Sequence, residues 1–266
     1  MRTKFAVLFG LMSLVVCLSC SNDDNPAIEV PTPFPHTLAP VGSMQIDFSD
    51  LSGGAKEQSG LCHALSSLVV SWVNVNVMVR LALPVIAVAS CFDNDPEYVA
   101  PMRWEWTATG GSGANAWTAK LSGFVTGADS VHWAMRISGT PLHFTDYLWF
   151  DGFANYIAAE GSWDYYDPES PELPRRILTS NWSLPAGTED KTIDFINVDE
   201  SDDGFEDRLA YQIQDDEASV SFFDASVPGT TTVEWNLDTG EGSTTSVDGS
   251  SCCWGQRPAF PDIECP

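Results

Sequence analysis

The chain predicts a mainly β fold: an antiparallel meander forming a curved sheet or half-barrel, packed on an N-terminal apolar helical segment. Three observations carry this expectation. From about Met102 onward, apolar and polar residues alternate with period two, the pattern of strands that cover a core on one face only. Glycine, aspartate and threonine clusters interrupt that alternation at roughly regular intervals, as hairpin connections do. The stretch Leu61 to Phe92 breaks the pattern, with Arg80 as its one charged residue and Leu, Val, Ile, Ala and Met dominating.

The first element is an export signal. Arg2 and Lys4 precede an apolar run from Phe5 to Leu18, followed by Ser19 and Cys20. A basic start, a short apolar core and a small residue before the cut form a secretory signal, and the run falls short of the ~20 residues a spanning helix needs. Leu18-Ser19-Cys20 resembles the lipobox of bacterial lipoproteins, which implies acylation of Cys20 after removal of residues 1–19. Cys17 stands where that family usually has an aliphatic residue. The segment Ser21-Asn22-Asp23-Asp24-Asn25-Pro26 is similar to the acidic tether of surface-exposed lipoproteins. The resemblance implies an outer-membrane or cell-surface location and a lipid-anchored membrane partner.

Residues 20–56 follow as a tether. Pro26, Pro31, Pro33, Pro35 and Pro40 lie there without periodicity, which favours extended chain. A single β-rich domain is expected over 57–266, opening with an apolar helical segment at 57–92. That segment is long enough to span a bilayer. Asn74, Asn76, Arg80 and Pro84 within it favour a buried helix, or two helices broken near Pro84.

The meander is expected over 102–248. Trp104 and Trp106 share a face, as do Trp117, Ala119, Leu121, Gly123 and Val125. Val131, Trp133, Met135 and Ile137 alternate with His132, Ala134, Arg136 and Ser138, and Leu148 with Phe150 and Trp163 with Tyr165 continue the pattern. It runs on through Leu178-Ser180-Trp182, Ile193-Phe195, Leu209-Tyr211-Ile213, Val220-Phe222 and Val233-Trp235-Leu237. A closed calycin-like barrel and a β-sandwich are the alternative arrangements of the same strands. A helix preceding a long curved sheet resembles the half-barrel-plus-helix folds of periplasmic lipoprotein carriers, and that resemblance implies an apolar ligand in the concave face.

Residues 249–266 form a cysteine-containing tail. Cys62, Cys91, Cys252, Cys253 and Cys265 remain after Cys20, and in an oxidising compartment they are disulfide candidates. An odd number leaves one without an intrachain partner. Cys265 pairing with Cys252 or Cys253 would pin the tail, while Cys62 with Cys91 requires the chain between them to double back.

Segment 1–19 holds two of the 12 basic residues and none of the 37 acidic ones, which leaves a net charge of −27. So acidic a chain repels phosphate backbones, and nucleic acid is excluded as a partner.

Chemistry-bearing residues are sparse. His143 lies near Asp146, but no nucleophile motif and no H-E-x-x-H accompany them. Glu160, Asp164 and Asp167 surround Trp163, Tyr165 and Tyr166 in a composition suited to sugar contact. Asp199, Ser201, Asp203 and Asp207, with Gly204 at the turn, echo a calcium loop, although Ala210 stands where a bidentate glutamate belongs. No other cofactor is indicated. The leading expectation is a non-catalytic, membrane-anchored protein binding an apolar or lipid ligand on a concave face lined by Trp104, Trp106, Trp117, Trp133, Phe150 and Trp163. A cell-surface glycan- or protein-interaction module is the alternative, and a hydrolase the lesser one.

Overall fold

A computed structural model describes residues 41–44, 46, 60–67, 86–139, 144–167, 174–227 and 229–266. The protein is mainly β: fourteen strands form one curved, open sheet in strictly sequential order, each paired antiparallel with the next. They run β1 (Glu97–Ala100), β2 (Arg103–Gly110), β3 (Trp117–Val125), β4 (Ser130–Gly139), β5 (Phe144–Asn155), β6 (Glu160–Tyr166) and β7 (Arg176–Ser183). The second half holds β8 (Lys191–Asn197), β9 (Arg208–Gln214), β10 (Glu217–Phe223), β11 (Thr230–Asn236), β12 (Gly242–Thr245), β13 (Ser251–Trp254) and β14 (Asp262–Ile263). The first and last strands are not paired to each other, so neither a closed barrel nor a two-sheet sandwich forms from these strands.

Alternation decides which side each residue takes. Trp104, Trp106, Leu121, Trp133, Met135, Trp163, Trp182, Phe195, Tyr211, Val233 and Trp235 all fall on one face and are buried there. The register shifts at several points, in β1/β2, twice in β4/β5 and in β6/β7, and one shift in β5 changes the inward set most. Met135 is opposite Phe150 but Arg136 is opposite Leu148, so Trp149 is an extra residue in β5. At this β-bulge Phe150 joins the main core, Tyr147 and Trp149 are buried in a separate small cluster with Ile137, and Leu148 stays half-exposed, whereas strict period two aligned Leu148 with Phe150.

Indole rings are accommodated by glycines on the neighbouring strand. Gly110 is registered with Trp117, Gly123 with Trp133, Gly152 with Trp163, Gly161 with Trp182 and Gly242 with Trp254. A Cβ on Gly152 would lie 2.7 Å from Trp163 and 2.0 Å from the Ser162 carbonyl oxygen. The missing side chain therefore makes room for the ring, as in aromatic covering of sheet glycines.

Two helical turns cap the concave face, α1 (61–67) and α2 (86–92). They lie in the expected helical segment; Asn74, Asn76, Arg80 and Pro84 lie outside the described residues. Among those residues no helix is long and apolar enough to cross a membrane. Ala87, Val88 and Cys91 of α2 are buried in the core, and Phe92 meets Trp106 and Trp133 edge-on at 5.5 and 6.1 Å.

The α1 turn is fastened to the other end of the sheet. Asp262 accepts hydrogen bonds from the Leu61 and Cys62 amides, capping the helix start. His63 stacks on Phe260 at 4.0 Å, Ser66 bonds Thr244, and Cys62 is disulfide-bonded to Cys252.

Two expectations are corrected. The stretch 249–266 is not merely a tail: it supplies β13 and β14. Residues 41–46, expected within the tether, include Ser43, Met44 and Ile46, which are buried in the core. The remaining tether residues and the signal, Cys20 included, lie outside the described residues.

Candidate functional site

The concave face is the candidate site. Trp104, Trp106, Trp133, Phe150 and Trp163 all lie on it and are buried, whereas Trp117 at the start of β3 is only half-buried and covers Gly110. Sequence reasoning for the site left out Trp182 and Trp235, which the same alternation would have supplied, and Trp254, which lies in the stretch read as a tail. Trp163 stacks on Trp182 with centroids 6.0 Å apart, and Trp106 tilts against Trp133 at 5.7 Å.

Polar atoms on this face are few. Trp163 Nε1 donates to Ser43 Oγ at 2.8 Å and Trp254 Nε1 to the Gly240 carbonyl at 2.7 Å. The indole N–H groups of Trp182 and Trp235 have no acceptor among the described residues, although the residues are 5% and 1% exposed. A buried donor left unsatisfied costs about 1–3 kcal/mol. Burial pushes the Tyr165 phenol well above its ordinary pKa, against a smaller lowering by the Ser180 hydroxyl beside it. A wholly apolar void of about 10 Å³ lies between Met44, Val88, Phe92, Leu121, Trp133 and Trp163. That is room for one water at most.

The cysteines divide between two faces. Adjacent residues of a strand point opposite ways, so Cys252 reaches Cys62 on the helical side while Cys253 reaches Cys265 in the C-terminal strand segment. The Cys253–Cys265 bridge is one of the two pairings weighed for the tail; Cys62 meets Cys252 instead of Cys91. Among the described residues Cys91 is the free cysteine, fully buried beneath β2 and β3, and burial pushes its thiol pKa up to about 11.

The calcium-like loop is organised differently. Arg175 donates to Asp199 and to Asp167, each at 2.6 Å, and also to Ser201. Asp207 accepts from the Ala225 amide and Asp202 from the Gly204 amide. Ser201 donates to Asp199 at 2.7 Å, and among the described residues no group of three or more His, Cys, Asp or Glu is placed to hold a metal. The Arg175 guanidinium meets Asp199 and Ser201, two of the four residues expected to hold the cation. Arg175 escaped notice because it lies 24 residues before Asp199.

The expected sugar-contact group separates as well. Trp163 and Tyr165 turn inward, while Asp164 and Tyr166 lie on the convex face. There Tyr166 donates to Asp151 at 2.9 Å, His132 Nε2 is 3.7 Å from the other Asp151 oxygen, and Thr179 and Arg176 donate to Asp164. Burial pushes the Asp151 carboxyl up, but the hydrogen bonds of His132 and Tyr166, with the charges of His132 and Arg136, outweigh it and lower its pKa. Asp167 belongs to the Arg175 cluster, and Glu160 is exposed at the start of β6. His143 lies outside the described residues, and Asp146 pairs with Arg136.

Comparison with protein-family models, curated proteins and solved structures returned no match.

Proposed function

We propose that this chain is an exported lipoprotein, anchored through an acylated Cys20, that binds an apolar ligand non-catalytically on its concave face. The anchor rests on the basic start, apolar run and Leu18-Ser19-Cys20 of the sequence. Two disulfides suit an oxidising compartment.

The observation that carries the ligand reading is the pair of buried indole donors, Trp182 and Trp235, without acceptors among the described residues. They sit in an apolar surface, so the guest that satisfies them is apolar in bulk and bears hydrogen-bond acceptors, as an acyl ester does. The helical cover is joined to the two ends of the sheet, α2 beneath β2 to β4 and α1 at β12 and β13.

The test uses the chain lacking residues 1–20, delipidated and titrated with a pyrene-labelled phospholipid. Saturable binding is expected, weakened several-fold in Trp182→Phe and Trp235→Phe, which keep a ring but lose the N–H. Absence of binding, or unchanged affinity in both variants, refutes the ligand reading. Fractionation of cells expressing the full chain tests the anchor separately: Cys20→Ala is expected to move the protein out of the membrane fraction.

A further inference from the structure

The convex face carries a feature that the concave-face reading does not use. Phe124 of β3 is registered with His132 of β4, and His132 with Phe153 of β5. Three rings therefore stand side by side on neighbouring strands, about 5 Å apart per strand. The His132 and Phe153 centroids are 4.7 Å apart. Phe124 and Phe153 are 44% and 52% exposed. A single exposed apolar residue is ordinary; two phenyl rings flanking a histidine in one cross-strand row form a platform.

The surroundings of the rings define what fits on them. Asp151 is two residues from Phe153 on the same face, held ionised by His132 and Tyr166. Directly opposite it in β6 stands Asp164. Like charges facing each other across a strand pair are destabilising, and here each is offset by separate donors, Tyr166 for one and Thr179 with Arg176 for the other. Beyond Phe153 the row continues with Ser162 and then Asn181. Exposed ring faces are thus bordered by fixed acceptors and short polar side chains.

A membrane is a poor match, because inserting Phe124 and Phe153 would carry the Asp151 and Asp164 carboxylates toward hydrocarbon at high cost. A polyanion is repelled by the same pair and by the chain's overall charge. A pyranose fits both features: its C–H face lies flat on an aromatic ring and its hydroxyls donate to carboxylates.

We propose that Phe124, His132 and Phe153 form a stacking platform for a neutral glycan, with Asp151 as the hydroxyl acceptor. This site is independent of the concave ligand face. A glycan chain lies across the strands, stacked on the two phenyl rings and led toward Ser162 and Asn181.

The experiment is calorimetric titration of the mature chain with neutral hexasaccharides of glucose, mannose, galactose and N-acetylglucosamine, with phosphatidylcholine vesicles as the membrane arm. Binding of at least one hexasaccharide is expected, weakened tenfold or more by Phe124→Ala and by Phe153→Ala and several-fold by Asp151→Asn. Exposed phenyls contribute little to the fold, so both alanine variants are expected to melt with the parent, and Phe153→Tyr is expected to retain binding. No heat with any hexasaccharide, equal affinity in the alanine variants, or vesicle binding that those variants abolish overturns the proposal.

Discussion

The two disulfides should differ sharply in their contribution to stability, and the difference follows from where they sit in the chain. Cys62–Cys252 spans 190 residues and Cys253–Cys265 spans 12. In the chain-entropy description, closing loops of those sizes constrains the unfolded state by about 5 and about 3 kcal/mol. Replacing Cys62 and Cys252 by serine is therefore expected to cost about 2 kcal/mol more than replacing Cys253 and Cys265. The long bridge also fastens α1 to β13, but it is not the only fastening: Asp262, the His63 stack and the Ser66–Thr244 bond remain. The serine pair should still fold with its β-rich circular dichroism intact. For a chain of this size a loss of about 5 kcal/mol corresponds to roughly 10–20 °C in melting temperature. Equilibrium urea unfolding of both double variants and the parent provides the free energies, and thermal melts provide the check. Equal losses in the two variants, or a loss below about 1 kcal/mol for the long bridge, would refute the reasoning.

Three further outcomes follow from the same structure. Arg175→Ala strands the Asp167 and Asp199 carboxylates, each about one-tenth exposed; with the guanidinium itself partly solvated, a loss of about 2–3 kcal/mol is expected in urea unfolding, and calcium should leave the parent's melting point unchanged. A loss below about 0.5 kcal/mol, or calcium-dependent melting, contradicts that placement. The folded Asp151 pKa lies below the ordinary value, so its stabilisation is present above the ordinary carboxylate pKa and lost as pH falls through the folded one; Asp151→Asn should show a smaller drop in melting temperature between neutral pH and pH 3, and an identical drop removes the claim. The Cys91 thiol, raised to about 11 from 9.0 by burial, stabilises the fold below pH 9 and loses that contribution as pH rises through 11; iodoacetamide at pH 8 should label it only after unfolding, as peptide mass mapping will show.

Particular residues show how far the sequence could be read. Period-two alternation was enough to place Trp133, Trp163 and Tyr211 inside, because a strand offers only two faces and water excludes the indole from one of them. It failed at Leu148, where a single extra residue, Trp149, reverses the parity. The short strands β1, β12 and β14 escaped because four residues or fewer carry too little alternation to register, and Gly242–Thr245 is polar throughout. Asp199 and Asp203 suggested a cation loop by spacing alone, yet the charge that meets Asp199 comes from Arg175 on another segment.

By itself the sequence determined the antiparallel β character, the core face of most long strands and the net acidity of the chain. These follow from local pattern and composition, where each residue's preference for water or oil is decided by its nearest neighbours along the chain. Only the tertiary structure decided that the sheet stays open, that Cys62 meets Cys252, that Arg175 meets Asp199 and Ser201 and that Phe124, His132 and Phe153 stand in one row. Each of these depends on register between strands or segments far apart in sequence, and register is fixed by pairing geometry and packing, which no single stretch of residues encodes.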